Sequence, residues 1–355
     1  MTMTNKKFDY KILVEEPRLL MDVKLKPKQG DRFQPTGFPE IGAAEFQRPD
    51  GTRMVLVESA QSMANRLEST IIGADGYNVI ESLKGISYIV SELSTDGESK
   101  FTSSLIEAHR MNSPYIISDK NFREELKKEA SYYKGQPMNW RKVAKAVFKY
   151  DVNSLIHGIF MANLEDGRLK LPRILSSFIE AENIKEVSTG GVKNNPIDPT
   201  GKLRTDEIKA DVYGNVPYHR TEYTAENIDA YFNIDTSLLK SYELGEDETK
   251  LVFFLCLLKI RKFLDSSLRL RTACDLKVES NVAINIEKDE YVEFPEEKEI
   301  IETLNDLIKK CEHSFNTPPV KRLHVNAKWT EKRDKPNNSE ENVDAENEDN
   351  TLDDE

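Results

Sequence analysis

Residues 57–67, Val57-Glu58-Ser59-Ala60-Gln61-Ser62-Met63-Ala64-Asn65-Arg66-Leu67, pass from a strand-like apolar stretch straight into a helix-like one. The first turn of a helix has backbone N–H groups with no intrahelical acceptor, and the peptide dipoles make that end positive. Here those groups would stand beside the hydroxyls of Ser59 and Ser62 and the amide of Gln61, with Asn65 and Arg66 one turn further on. Small polar side chains, free N–H groups and a guanidinium in that order suit the binding of an anion such as phosphate. Ser59 also suits a simple N-cap. Capping alone leaves Gln61, Ser62, Asn65 and Arg66 without an explanation.

Other cations fall into groups. Residues 100–150 carry eleven Lys and Arg against five Asp and Glu, and Arg141, Lys142, Lys145 and Lys149 recur at helical spacing. Such a stripe is either a solvated helix face or a phosphate-neutralising one. A second group is Lys259, Arg261, Lys262, Arg269 and Arg271. Arg269 and Arg271 alternate with Leu268 and Leu270, which puts both on one face of a strand. They read either as a contact for phosphate or an acidic partner, or as a structural salt-bridge pair. Gly190-Gly191-Val192-Lys193 resembles a phosphate loop only loosely, since no apolar strand leads into it.

Catalytic patterns are missing. The five histidines (His109, His157, His219, His313, His324) have no metal-ligand spacing, and no Walker loop, dinucleotide fingerprint or nucleophile elbow is present. No metal or cofactor is expected. Three widely spaced cysteines, Cys256, Cys274 and Cys311, suit reduced thiols in a cytoplasmic protein rather than a disulfide framework.

The elements that would position these residues follow from periodicity. Lys11–Val14, Met54–Val57 and Ile86–Val90 read as strands, and Gln61–Ser69, 119–133 and 139–149 as helices. Gly158–Leu164 and Arg168–Ile179 read as a hairpin turned at Glu165-Asp166-Gly167. Thr224–Tyr231 reads as a short helix capped by Thr224. Asp247–Phe263 is apolar on most sides, hence a buried helix. Leu268–Arg271 and Leu276–Val278 read as strands, and Glu296–Lys310 as an amphipathic helix. Hairpins among interleaved helices favour an α+β fold. Pro27–Arg53 and Glu182–Pro217 are long, polar and rich in Gly and Pro.

Charge is uneven along the 355 residues: the formal charge is −12, from 50 Lys and Arg against 62 Asp and Glu. Residues 340–355 hold nine of those acids and no base, which leaves 50 bases against 53 acids elsewhere. The acidic character therefore belongs to the tail, residues 331–355, whose composition predicts disorder. A nucleic-acid partner needs a basic face, not a basic whole. The longest apolar run, Leu251–Leu258, is far short of the ~20 residues of a membrane helix, and residues 1–16 lack the apolar centre of a secretory signal.

The 57–67 segment resembles the strand–serine–serine–glutamine–serine–x–lysine–arginine motif of the backbone subunits of CRISPR interference complexes, in the RAMP superfamily. Phe33–Pro39, Leu56–Glu68, Thr102–Ile116, Tyr150–Phe160, Arg173–Ala181, Gly190–Lys193, Gly214–Tyr223 and Leu268–Leu276 extend the resemblance, in order, to the type I-U branch, now called I-G. The resemblance implies a modified RRM, or ferredoxin-like, core over residues 1–330 with insertions at about 90–150 and a thumb-like segment at 182–217. It implies a non-catalytic subunit that lines up with copies of itself in a helical filament along the guide RNA and supports guide–target DNA pairing beside other effector subunits. Ser59, Gln61, Ser62 and Arg66 fall on the RNA-contacting motif. Ala60 stands where serine is usual and Asn65 where lysine is common, which removes a charged contact. Lys193, on the thumb, and His219, Arg220, Arg269 and Arg271 complete the expected RNA-binding set. Related type III subunits cut RNA with a loop aspartate; no residue here is assigned that role, and Asp31 and Asp151 are nearest to it by type. The alternative within the superfamily is an endoribonuclease that processes the guide transcript with His109 or His219 as general acid or base.

Overall fold

The structure, a computed structural model, describes residues 5–6, 8–38, 42–95, 98–203, 214–279, 282–286 and 290–326. The acidic tail and residues 204–213 of the thumb-like segment lie outside them. In chain order the core is built from strand β1 (Leu19–Pro27), strand β2 (Arg53–Glu58), helix α1 (Ala60–Ser69), strand β3 (Leu175–Glu182), the long ribbon strands β4 (Lys185–Lys193) and β5 (Val216–Thr224), strand β6 (Asn227–Ile234), helix α2 (Glu246–Leu264) and strand β7 (Cys274–Val278).

The main sheet runs β7–β1–β6–β3–β2, each strand antiparallel to its neighbour. It follows that β1 and β3 are parallel with β6 between them, and β6 and β7 are parallel with β1 between them. Helix α1 lies in the first crossover and α2 in the second. Two interleaved βαβ units of this kind are the ferredoxin-like arrangement, so the fold is α+β, with β2 as an added strand beside β3 and the short strand Glu45–Gln47 paired to its far side.

Local sequence explains most of these elements. In β1, Leu19, Met21, Val23 and Leu25 are buried and the residues between them exposed, as an alternating stretch packed on one face requires. No expectation above covered β1, although its period of two is legible. In β6, Ile228, Ala230, Phe232 and Ile234 are buried by the same alternation. The expected helix at Thr224–Tyr231 is therefore wrong: Thr224 suited a cap, but the apolar spacing is two, not three or four. Lys11–Val14 is also not a strand. It lies in a helical turn, Tyr10–Glu15, because the Asp9 side chain accepts from the Lys11 N–H at 2.9 Å and caps it.

The other expected helices form at Lys120–Ala130, Trp140–Tyr150 and Glu297–Lys310, each within a few residues of its expected limits. The expected hairpin at 158–179 shrinks to two residues per arm, Ile159–Phe160 with Lys170–Leu171. The rest of its second arm enters the main sheet as β3, whose inward residues Leu175, Ser177, Ile179 and Ala181 complete the core surface. Helix α2 is buried on nearly every side from Leu251 to Ile260. Cys256, Cys274 and Cys311 are all free and buried.

Candidate nucleic-acid interface

Helix α1 starts where the sequence places it. Ser59 is the N-cap: its hydroxyl accepts from the Ser62 N–H at 3.2 Å, and its carbonyl accepts from the Met63 N–H at 2.8 Å. Met63, Ala64 and Leu67 anchor the inner face, which leaves Gln61 and Asn65 exposed and Arg66 half-buried.

The organising residue of this corner is Glu58, the last residue of β2, which is fully buried. Its Oε1 accepts from the Ser62 hydroxyl and, at 2.6 Å, from Arg66 Nε. Arg271 pairs with its Oε2. Arg66 Nη2 also donates to the Leu270 carbonyl, and Arg271 Nη1 donates to the Gln34 carbonyl at 3.0 Å. Burial draws both guanidiniums below their ordinary pKa. One buried carboxylate thus fixes two arginines that are 205 positions apart in sequence, and each keeps N–H donors beyond those it spends on Glu58.

A third guanidinium arrives unexpectedly. Arg173 Nη1 donates to the Ala60 carbonyl at 3.2 Å and Nη2 to the Gln61 Oε1, which places it beside the first turn of α1. Gln61 Nε2 in turn approaches Asn65 Oδ1 at 3.5 Å. The segment around Phe33 closes the corner. Thr36 N–H donates to the Val57 carbonyl at 3.2 Å, Gln34 N–H to the Ala273 carbonyl at 2.8 Å, and Phe33 pairs with Tyr223 on β5. Ser59, Gln61, Ser62, Asn65, Arg66 and Arg271 therefore share one site with Arg173 and Glu58, two residues the sequence reading left out. Arg173, Arg66 and Arg271 against Glu58 give the site a net charge of +2.

A second buried polar chain supports α1 from behind. Arg110 pairs with Glu68 through Nε and Nη2 at 2.7 and 2.9 Å, Asn153 Nδ2 donates to Glu68 Oε1 at 2.9 Å, and Lys259 Nζ donates to Asn153 Oδ1 at 2.8 Å. Lys259, expected in a surface cluster, is thus in the core. Its neighbours Arg261 and Lys262 are held by Asp265 and Glu296, and by Glu297. Asp151 is equally structural. It caps the short helix Val152–His157, accepting from the Asn153 N–H at 3.0 Å and the Ser154 hydroxyl at 2.5 Å, and burial pushes its carboxyl up to about 6.

Burial draws Lys259 down to about 8, against the attraction of Glu68. In the unfolded chain a lysine titrates near ~10.4. Between those values the unfolded chain binds more protons than the folded one, so stability rises with pH across that window. The urea midpoint of the wild type is expected to rise from about pH 8 to about pH 10 relative to that of Lys259→Met; parallel curves would contradict this.

The remaining expected residues lie elsewhere. Lys193, His219 and Arg220 are all on the β4–β5 ribbon, where Gly190 pairs with His219, Thr189 with Arg220 and Lys193 with Val216. Directly paired residues share a face, so Lys193 and Arg220 lie on one face and His219 on the other. Arg220 is held by Glu222 through Nε at 2.8 Å. Gly190-Gly191 is no phosphate loop. It is ribbon strand, and a Cβ on Gly191 would sit 3.1–3.3 Å from the Tyr218 ring. Arg269 lies 3.7 Å from Asp275, so the salt-bridge reading holds for it. The lysine stripe is mostly engaged: Arg141 pairs with Glu243 at 2.7 Å and Lys149 with Glu129 at 2.6 Å. His109 is exposed beside Arg110, on a different element from His219.

Comparison with known proteins bears on this corner. A family model described as CRISPR-associated protein GSU0053 matches residues 19–186, from β1 through α1, Arg110 and Arg173 to the start of β4. Residues 19–186 are thus similar to this CRISPR-associated family. The match agrees with the resemblance carried by the motifs. No curated protein matches the sequence. A chain of a solved structure described as "CRISPR RNA-guided surveillance complex, pre-nicking" is similar at 10% identity and a TM-score of 0.40, over 76% of this chain and 77% of that one; a likeness of that degree carries no argument. The matched segment contains Glu58, Ser59, Gln61, Ser62, Asn65, Arg66 and Arg173 of the α1 corner, whereas Leu270 and Arg271, on the strand Arg269–Arg271 beside β7, and Tyr223 and Ala273 lie outside it.

Proposed function

We propose that this CRISPR-associated protein is a non-catalytic, RNA-binding backbone subunit of a type I-U/I-G surveillance complex. It grips the sugar-phosphate backbone of the guide RNA at the N-terminus of α1 and lines up with copies of itself along that RNA. Reading the target DNA is left to base pairing with the guide. The observation that carries this reading is the Glu58-centred cluster, in which Arg66 and Arg271 are fixed beside Ser59, Gln61 and Arg173. Pre-positioned donors of this kind hold a phosphate irrespective of the base attached to it. The β4–β5 ribbon, with Lys193, His219 and Arg220, would be the thumb that reaches the guide–target duplex. Residues 1–330 would act as one RRM-like unit in the cytoplasm beside other effector subunits. Among the described residues no helix is long and apolar enough to cross a membrane.

Purification with the guide RNA at low salt, followed by mass measurement, tests the reading. A particle with several copies of the chain per RNA is expected. A chain that leaves the column free of RNA, or one copy per RNA at saturating protein, would overturn it.

A further inference from the structure

A cavity of about 760 Å³ lies between the helices Lys120–Ala130 and Trp140–Tyr150, the first turn of α2, and His313 and Ser314. Four lysines line it: Lys128 from the first helix, and Lys142, Lys145 and Lys149 from the second. Their spacing of three and then four puts the last three on one helix face. Two carboxylates stand among them. Glu129 is spent on Lys149 at 2.6 Å, and the buried Glu248 accepts from the Ser314 hydroxyl at 2.5 Å. With His313 neutral, the cavity carries a net charge of +2. Lys142 donates to the Ser131 hydroxyl at 3.2 Å, while the exposed Lys128 and Lys145 meet no carboxylate among the described residues. Like charges three and four residues apart on a helix repel, and a ligand with several negative groups would relieve that repulsion.

The same chain holds such a polyanion. Residues 340–355 carry nine carboxylate side chains and no base, and the RNA reading above gives them nothing to do. The described chain leads from the cavity toward that segment. Asn316 N–H donates to the Lys149 carbonyl at 2.9 Å, and Lys321 pairs with Glu125, one helical turn before Glu129. The strand Val320–Asn326 carries the chain at most about 17 Å beyond Lys321. The fourteen residues from Asn326 to Glu340 can span roughly 45 Å, which is enough to return to the cavity with slack. A tether of that kind supplies the segment at an effective concentration near a millimolar. A guide strand held at the α1 corner is less well placed. Lys259, which reaches the network behind α1, is eleven residues along α2 from Glu248, about 17 Å away.

We propose that this cavity is an acidic-peptide site, and that its occupant is the 340–355 segment of the same chain. Carboxylates of the segment pair with Lys128, Lys142 and Lys145, while Lys149 stays on Glu129. The contact joins the two charge features that the α1 corner leaves unused, the lysine stripe and the acidic tail. Its ion pairs are solvent-exposed, so docking weakens as salt is added. The site is separate from the α1 corner, and the proposal does not rest on the RNA reading.

The test uses the full chain in two forms: the wild type, and an amide-tail form in which each Asp of 340–355 is changed to Asn and each Glu to Gln. A fluorescent peptide with the sequence of residues 340–355 is titrated with each and its anisotropy read. The amide-tail form is expected to bind it roughly tenfold more tightly than the wild type, whose own tethered segment competes for the cavity. Adding Lys128→Gln, Lys142→Gln and Lys145→Gln to the amide-tail form, all at exposed positions, should abolish binding without lowering the thermal midpoint. Equal affinity of the two forms for the peptide, or no binding to either, would overturn the proposal. Carbodiimide coupling of a mixture of ¹⁵N-labelled and unlabelled wild type identifies the source of the segment. Amide bonds from its carboxylates to Lys128, Lys142 or Lys145 are expected within one isotope, and pairs of mixed isotope would assign the segment to another copy and overturn the intramolecular contact. Changing the three lysines in the wild type should leave its RNA affinity as it was. A loss of RNA affinity there, with peptide binding by the amide-tail form insensitive to the same changes, would assign the cavity to nucleic acid and overturn the proposal.

Discussion

Replacing Glu58 with glutamine is expected to cost about 3 kcal/mol of folding stability, the low end of the range for breaking a buried ion pair by removing one partner. The substitution keeps the shape of the side chain and an oxygen that can accept from Ser62 and Arg66. What it removes is the only carboxylate among the described residues that meets both Arg66 and Arg271. Two guanidiniums, each already partly desolvated, would then face each other without a counter-charge. The value sits at the low end because both arginines keep some contact with water. Urea unfolding of the variant measures it, and a loss under about 1 kcal/mol would mean that Glu58 is not the hub described above. The double variant Glu58→Gln/Arg271→Met should recover part of the loss, because it removes one of the stranded charges. That coupling separates a charge effect from a packing effect.

The double variant Gln61→Ala/Arg66→Ala is expected to weaken RNA binding by roughly 10- to 100-fold, the size of one lost charge-assisted contact plus one neutral hydrogen bond. Arg271 stays on Glu58 in this variant, so the buried carboxylate is not stranded and the chain should still fold. The loss should be the same for unrelated single-stranded sequences, because phosphate contacts carry no base information. Fluorescence anisotropy on several unrelated RNAs measures this. A loss confined to one sequence would indicate base recognition at α1 and contradict the backbone contact.

The parts of this site that were legible in the sequence are those set by neighbours along the chain. Ser59 caps α1 as its position implied, and the all-round apolar run of α2 marked a buried helix. The Glu58 hub was not legible, because whether a carboxylate ending a strand is buried depends on Leu270 and Arg271, brought to it from more than 200 positions away. Arg173 escaped for the same reason: nothing beside it in sequence hints at Gln61. Lys259 is a different matter. It follows eight consecutive apolar residues and precedes Ile260, so the helix pattern already pointed inward there, and the neighbouring Arg261 and Lys262 drew it wrongly into a surface cluster. β1 and β6 share a plain alternation that identified neither, one passed over and the other overruled by a tempting cap at Thr224. The order of the sheet lies beyond any local signal, since the hydrogen bonds between β1 and β6 join residues about 200 positions apart.

The central claim is that α1 and its arginines hold RNA by phosphate. It is tested most directly by the dependence of affinity on salt for the wild type and for Gln61→Ala/Arg66→Ala, measured on the same single-stranded RNA between roughly 50 and 200 mM salt. Each phosphate contact by a cationic side chain on a single strand contributes about 0.7 to the slope of log affinity against log salt. The wild type is expected to show a steep fall and the variant a slope shallower by about 0.7, the loss of one contact at Arg66. Equal slopes for the two proteins would show that Arg66 touches no phosphate and would contradict the account.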